Sequence, residues 1–299
     1  MSEHIILQNK FFTADRLENG VIRITGLAGE LCYLIEGSER ALLIDGLSGV
    51  GSLRAFVREL TELPVTMAAT HGHIDHVGAG WEYGELFIHP DDIALMYTPM
   101  HSSVERRLEF TGANPMGLEK RTEVKESDVP VAHGIKTYPV YDGDVFDLGG
   151  TRIEVIGVPG HTYGSLVFLD REKRVIYSGD ACNMNTLLNL AGSTTIEEYL
   201  ESLHHFKTFQ KDFDVMYGGH GREAVPNSII DDAIAMCNRI LEEQDEAVPV
   251  DFGEGAFLAS DRGADYMPKC GGQCNIMYRK DMLRKRSHPE IQGVPNYYR

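Results

Sequence analysis

The sequence predicts an α+β protein whose β-sheets are covered by helices on their outer faces. Short apolar and β-branched runs recur along the chain, several separated only by tight turns, as expected of neighbouring strands. Segments with helical spacing of apolar residues alternate with these runs, which favours sheets with helices packed against them. With 299 residues and a hydrophobic content of 42%, the chain can bury a large core.

Eight segments have the composition of strands: 31–36, 41–45, 65–69, 85–89, 152–158, 165–170, 174–178 and 213–218. Helical spacing is found from Leu53 to Leu60 and from Ile230 to Leu241. It is also found from Ile196 to Leu203, where the preceding Thr194-x-x-Glu197 predicts a capping box. These apolar stripes are interpreted as core-facing.

The composition excludes several classes of function. The net charge of −17 disfavours nucleic acid as a partner, because such a chain repels phosphate backbones. Five cysteines are an odd number in a long chain and indicate reduced thiols. No run of residues is apolar enough to span a membrane, and the first residues do not resemble a signal peptide. We therefore expect a cytoplasmic protein without a membrane partner.

Two segments depart from the alternation of strands and helices. Residues 91–135 resemble an insertion with one helix and a charged connection rich in Gly, Pro and Asn, which could form a lid or a dimer contact. The chain from Pro249 onward is predicted to be irregular, and it turns basic over residues 278–286. We expect this basic stretch to dock on the acidic body of its own chain, or on a second copy in a homodimer.

The stretch AATHGHIDHVGAG, residues 68–80, follows a predicted strand and carries four polar side chains: His71, His73, Asp75 and His76. Imidazole nitrogens and carboxylates are the ligands that a borderline divalent metal prefers. The glycines beside them indicate that these residues lie in a turn and not in the packed core. The pattern therefore predicts a metal site.

Further candidate ligands follow three later predicted strands. His161 stands in VIGVPGHTYGS, Asp180 in VIYSGDACN and His220 in FDVMYGGHGRE. Each would be a weak signal alone, but ligand types at the ends of successive strands point to convergence on one site.

This ordered set resembles the metallo-β-lactamase superfamily, as do LLIDG (42–46), PGHTYGS and YSGD. The resemblance extends over residues 20 to 225. It implies a four-layer αβ/βα sandwich with metals in a groove at one edge. By the same resemblance His71, His73 and His161 would hold one ion, Asp75, His76 and His220 would hold a second, and Asp180 would bridge them.

The resemblance also suggests a branch and a domain organisation. Because no cysteine occupies a ligand position, the chain departs from class B1 β-lactamases and is similar to the glyoxalase II, lactonase and phosphodiesterase branches. Residues 1–225 would form the hydrolase domain. Residues 226–299 would add a helix and the basic tail, which packs on that domain or on a partner subunit.

Two divalent ions held close together would activate a shared water, whose pKa falls toward about 7, as a hydroxide nucleophile. Zinc suits the histidine-rich set, although iron or manganese could use the same ligands. Asp75 could orient the hydroxide and transfer a proton. Tyr163 could stabilise an oxyanion, and Asp45 could orient a ligand from outside the metal sphere.

The sequence favours a di-metal hydrolase acting on a small carbonyl substrate: a thioester, a lactone or another ester. Phosphodiester hydrolysis at the same centre is an alternative. A metal-stabilised binding protein without catalytic activity is a third hypothesis, which predicts a closed coordination sphere and no open groove. Cys182 is expected to be a buried thiol, and the roles of Cys270 and Cys274 stay open.

Overall fold

A computed structural model describes residues 5–98, 103–112, 123–130, 134–221, 224–253, 255–264 and 267–285. Two large sheets pack face to face, and helices cover the outer face of each. This arrangement is the predicted αβ/βα sandwich. In the described part of the chain, no helix is long and apolar enough to cross a membrane.

The first sheet has eight strands that hydrogen-bond in chain order. They are β1 (Ile5–Gln8), β2 (Thr13–Arg16), β3 (Ile22–Thr25), β4 (Leu31–Glu36), β5 (Ala41–Ile44), β6 (Val65–Ala68), β7 (Glu85–Ile88) and β8 (Lys136–Pro139). Pairing is antiparallel from β1 to β5 and parallel from β5 to β8. The helices that follow are α1 (Leu53–Arg58), α2 (Ile74–Val77), α3 (Gly80–Tyr83), α4 (Pro90–Met96) and α5 (Val104–Thr111).

The second large sheet is built from the later part of the chain. Its strands are β9 (Val145–Asp147), β10 (Arg152–Gly157), β11 (Leu166–Asp170), β12 (Val175–Gly179), β14 (Val215–Gly218) and β15 (Val225–Pro226). They hydrogen-bond in the order β15-β14-β12-β11-β10-β9, and only β12 and β14 are parallel. Helices α6 (Ile196–Lys207) and α7 (Ile229–Leu241) cover its outer face.

A small third sheet packs beside these helices. It contains β13 (Asn185–Leu187), β16 (Val248–Pro249), β17 (Ala256–Leu258) and β18 (Asn275–Arg279), in the order β13-β18-β17-β16. The prediction that the chain is irregular after Pro249 is therefore wrong, because β17 and β18 pair there and β18 places Ile276 and Tyr278 in the core of the second sheet.

Alternating side chains explain the layers. In β4, Tyr33 points between the two large sheets, where its ring lies beside those of Tyr177 and Tyr217, whereas Leu34 faces the helices of the first sheet. Because successive residues of a strand point to opposite faces, strands that are apolar on both faces must be covered on both. Each of the eight predicted strands is confirmed, with its ends shifted by two residues at most.

The capping box of α6 begins one residue later than predicted. Thr195 accepts a hydrogen bond from the backbone N–H of Glu198, and the Glu198 carboxylate accepts one from the backbone N–H of Thr195. Thr194 is instead buried, and its backbone N–H donates to the carbonyl of Gly160. The start of α6 is thus tied to the loop that carries His161.

The basic stretch contacts its own chain. The Arg284 guanidinium lies 3.3 Å from the Glu197 carboxylate, and the backbone N–H of Lys285 donates to the same carboxylate at 2.8 Å. Lys285 also pairs through its Nζ with Glu201 at 2.5 Å. Arg286 lies outside the described residues.

Of residues 91–135, the described parts form α4, α5 and a 3-10 turn at Glu126–Asp128, where one helix was predicted.

Candidate metal centre and adjoining cavity

The first four predicted ligands lie directly beyond the end of β6. His71 and His73 stand in the loop, and α2 then begins with His73 as its N-cap residue, which places Asp75 and His76 on a single helical turn. All four are buried. A short loop and one turn of helix thereby aim four polar side chains at the same edge of the sheet.

The other three predicted ligands come from the second sheet. His161 follows β10, Asp180 follows β12 and His220 follows β14. Donor atoms of the seven side chains form three overlapping groups, and within each group the atoms lie within 4.8 Å of one another. The groups are His71, His73 and His161; His71, His76 and Asp180; and Asp75, His76 and His220.

In the first group, the tautomer of His161 is set from outside the cluster. Its Nδ1 donates to the backbone carbonyl of Leu187 at 2.8 Å, so its Nε2 offers a lone pair to the cluster. That Nε2 lies 2.9 Å from Nδ1 of His73. The Nε2 of His71 is buried without a hydrogen-bond partner. A buried imidazole nitrogen in that state is explained by an ion that it would bind.

In the group of Asp75, His76 and His220, Nε2 of His220 lies 2.9 Å from the Asp75 carboxylate. Nδ1 of His76 contacts the carboxylate of Asp45 at 2.7 Å, which turns its Nε2 toward the cluster. Asp45 therefore makes the contact that its predicted outer-sphere role requires. Asp45 also accepts hydrogen bonds from the backbone and hydroxyl of Thr70, so its carboxylate is held from two sides.

Asp180 lies between the histidines of the two sheets. Its Oδ2 is 3.5 Å from Nε2 of His220, 3.7 Å from Nε2 of His161 and 3.8 Å from Nε2 of His76. Its Oδ1 is buried without a hydrogen-bond partner. A carboxylate in this position offers its oxygen atoms to both groups of histidines.

The electrostatics of the cluster suit a divalent cation. Burial lowers the pKa of His71 and of His161, which keeps these imidazoles neutral and able to donate a lone pair. Burial opposes ionisation of Asp75 and Asp180, but the neighbouring imidazoles outweigh it and lower the pKa of both carboxyls. Burial opposes protonation of His76 and His220, but the neighbouring carboxylates outweigh it and raise the pKa of both imidazoles, so a bound cation would displace their protons. The set would then offer neutral imidazoles and ionised carboxylates, which fits zinc, iron or manganese.

Two buried carboxyl groups beside the cluster were not predicted. Asp92 of α4 accepts hydrogen bonds from Gly72, Thr162 and Gly164. Burial raises the pKa of Asp92 to about 6, against the effect of these hydrogen bonds. Glu30 accepts a hydrogen bond from the Ser48 hydroxyl at 2.7 Å and from the backbone of Ala28. Next to Glu30, the Leu31 N–H donates to the carbonyl of Gly219, beside the ligand His220.

Tyr163, two residues after His161, does not line the cavity that opens at the cluster. It lines a separate groove together with Pro159 and His205. Its position gives the predicted oxyanion role no support.

Cys182 is buried in the core, as predicted, and burial raises the pKa of its thiol to about 12.

A cavity of about 740 Å³ opens from the cluster. Five of the candidate ligands line it: His73, Asp75, His161, Asp180 and His220. Its remaining walls are mainly apolar and include Ile74, Leu95, Phe110, Met184, Leu187, Leu190 and Phe252. Among the described lining residues, none is a lysine or an arginine. Leu95 and Phe110 belong to the segment 91–135, which therefore contributes to the wall.

Comparison with curated proteins identifies relatives at low sequence identity. The chain is 25% identical over 188 residues to acyl-coenzyme A thioesterase MBLAC2 of Homo sapiens. The alignment covers 56% of this chain and 63% of that protein. It is 24% identical over 193 residues to the probable metallo-hydrolase YqgX of Bacillus subtilis. That alignment covers 64% of this chain and 84% of the relative. The chain thus spans less than two thirds of the thioesterase.

Comparison with solved structures supports the fold. A metallo-beta-lactamase family protein of Thermus thermophilus superimposes with a TM-score of 0.50 at 21% identity, covering 78% of this chain and 80% of that one. The profile of the metallo-beta-lactamase superfamily matches residues 25–220, about two thirds of the sequence and all seven candidate ligands. The chain belongs to the metallo-beta-lactamase superfamily.

Proposed function

We propose that this metal-dependent hydrolase cleaves an acyl thioester whose apolar acyl group lies in the cavity beside the candidate metal centre. The observation that carries the proposal is the continuity between the two parts of that cavity. Five of the candidate ligands and an apolar wall of side chains that include Leu95, Leu190 and Phe252 line one and the same cavity. An acyl chain buried against this wall would bring its carbonyl to the donors.

The ligand set is part of the proposal. His71, His73 and His161 would hold one divalent ion, and Asp75, His76 and His220 a second, with Asp180 shared between them. The buried, unpartnered Nε2 of His71 and Oδ1 of Asp180 support this assignment. Zinc is the ion that we expect, since histidines dominate the set. Such ions supply a Lewis acid for the carbonyl oxygen and an activated water.

The chain's own residues supply orientation, proton transfer and desolvation. The carbonyl of Leu187 fixes the ring of His161, and Asp45 fixes that of His76. Asp75, whose Oδ2 lies 2.9 Å from Nε2 of His220, would accept a proton from the attacking water and pass it to the leaving thiolate. The apolar walls exclude water around the acyl chain, which strengthens the electrostatic interactions at the carbonyl.

The lining beyond the candidate ligands suits an acyl group better than the second ester arm of a phosphodiester. The described lining residues there include no lysine or arginine that would contact a phosphate, so the bound cations would have to supply that positive charge. The relative MBLAC2 is a thioesterase of acyl-coenzyme A. In a substrate of that kind, the acyl group would enter the cavity and the phosphorylated leaving group would stay outside it.

A substrate screen tests the proposal. Purified protein of measured metal content is assayed against acyl-coenzyme A thioesters, lactones and phosphodiesters, with metal-stripped protein as the control. We expect thiol release from thioesters that is lost on stripping and recovers when metal is restored. Hydrolysis of phosphodiesters alone would support the alternative activity at the same centre. Bound metal without hydrolysis of any class would favour a binding protein, although the open cavity is not what that hypothesis predicts.

A further inference from the structure

The buried Asp92 side chain connects the two loops that carry the three-histidine group. Its Oδ2 accepts a hydrogen bond from the backbone N–H of Gly72 at 2.7 Å, between His71 and His73. The same oxygen accepts one from the Thr162 hydroxyl at 2.7 Å. Its Oδ1 accepts one from the backbone N–H of Gly164 at 2.9 Å. One side chain thus satisfies donors from both loops.

The loops approach Asp92 too closely for side chains of their own. A Cβ added at Gly72 would lie 2.6 Å from the backbone oxygen of Asp92, and one at Gly164 would lie 2.7 Å from its carboxylate. Both glycines allow the backbone N–H groups to reach the carboxylate. The contact therefore depends on the two glycines of the loops as well as on Asp92 of α4.

We propose that Asp92 is a positioning residue for the metal centre, because it fixes the spacing between the loop of His71 and His73 and the loop of His161. Its hydrogen bonds go to residues beside the candidate ligands, so it acts through the backbone at Gly72 and Gly164. Removing an acceptor from a buried position leaves N–H donors without partners, which is unfavourable away from water. The loops would relax to recover hydrogen bonds, and the three imidazoles would move apart. The inference rests on the proposed ligand set.

The test uses Asp92→Asn, with Asp91→Asn as the matched control. Asp91 is exposed and precedes Asp92 on the same helix. An asparagine has nearly the same shape, but it replaces one acceptor oxygen with a donor that faces an N–H group. Co²⁺ serves as the probe: its dissociation constant is measured by competition with a chelator, and its visible spectrum reports on the coordination geometry. Thermal unfolding is measured on the metal-free proteins.

We expect Asp92→Asn to raise the Co²⁺ dissociation constant about 10- to 100-fold and to change the spectrum, as outer-sphere variants of metal sites do. Asp91→Asn should match the wild type in both. A lower melting temperature of metal-free Asp92→Asn, with an unchanged dissociation constant and spectrum, would mean that Asp92 only stabilises the fold and would overturn the proposal. So would equal values in all three proteins.

A second pair of variants covers the case in which Asp92→Asn does not fold. Thr162→Val removes one donor to Asp92, and Thr162→Ser keeps the hydroxyl. We expect the valine variant to weaken Co²⁺ binding and the serine variant to restore it. Wild-type binding by the valine variant would overturn the proposal. A wild-type protein that binds no Co²⁺ would contradict the proposed metal site and this inference together, whereas equal binding by all variants would contradict the inference alone.

Discussion

Nδ1 of His76 lies 2.7 Å from Oδ2 of Asp45, and both side chains are buried. Asp45 has a φ of 68°, a left-handed conformation that aspartate and asparagine tolerate better than most residues. Strand β5, which ends directly before Asp45, hydrogen-bonds to β6, which leads into the loop of His71. The contact therefore joins two neighbouring strand ends and holds the His76 ring with Nε2 toward the cluster.

Asp45→Asn should weaken metal binding while the fold is retained. The amide keeps the size and backbone conformation but loses the charge that holds the His76 ring, so we expect metal affinity to fall about 10- to 100-fold. Chelator competition measures this change, with the exposed Asp147→Asn as the control. Equal affinity of the two variants would contradict the orienting role of Asp45.

Asp180→Ala should abolish hydrolysis and lose at least one metal ion. Its Oδ2 is the atom that approaches imidazoles of both groups, so its removal takes a donor from each. Metal content by elemental analysis and the rate of thiol release are the measurements. Asp214→Ala, which removes an exposed carboxylate paired with Arg174, is the control. Two bound ions in Asp180→Ala would refute the bridging assignment.

Tyr163→Phe should leave kcat close to that of the wild type. Tyr163 lines a groove with Pro159 and His205 and is not among the residues that line the cavity at the candidate ligands. An oxyanion donor is worth about 10²- to 10³-fold in kcat, so the measurement separates the two cases easily. A loss of that size in steady-state kinetics would restore the role that the sequence suggested.

The C-terminal contacts should contribute unequally to stability. Arg284 and Lys285 form exposed ion pairs, so replacing both with alanine should cost less than about 1 kcal/mol and matter least at high salt. Ile276→Ala should cost about 2–5 kcal/mol, since Ile276 is fully buried. Urea unfolding measures both. A larger effect from the double surface variant would reverse this ranking.

Truncation after Pro268 should destabilise the protein, because it removes β18. That strand hydrogen-bonds to β13, whose Leu187 carbonyl orients His161. Loss of metal affinity should therefore accompany the fall in melting temperature. Light scattering on the intact chain tests the predicted homodimer separately. Unchanged stability after truncation would contradict the role assigned to β18.

The local motif made the candidate centre readable from the sequence. His71, His73, Asp75 and His76 are close in sequence, and strand ends preceding His161 and His220 were visible as apolar runs. Contacts between segments that are distant in the sequence could not be recognised from a local pattern. Asp92 follows His89-Pro90-Asp91, which is indistinguishable from the acidic first turn of an ordinary helix.

Strands with buried charges or few residues were also missed. In β2 and β3, Asp15 and Arg23 form a buried ion pair at 2.8 Å, so charged residues interrupt the apolar pattern on which strand prediction depends. β17 has only three residues and depends on pairing with β18. Tyr163 lies in a turn, where the direction of a side chain does not follow from its spacing to His161.

The most direct test of the proposed function is the dependence of kcat/KM on acyl chain length, measured with a series of saturated acyl-coenzyme A thioesters. Burial of each methylene against the wall contributes about 0.8 kcal/mol, so kcat/KM should rise up to about fourfold per methylene until the cavity is filled. Phe252→Ala, which shortens a half-exposed wall residue, should lower kcat/KM for long chains and spare short ones. A chain-length profile that is flat in both proteins would contradict the account, because the apolar wall would then take no part in binding the substrate.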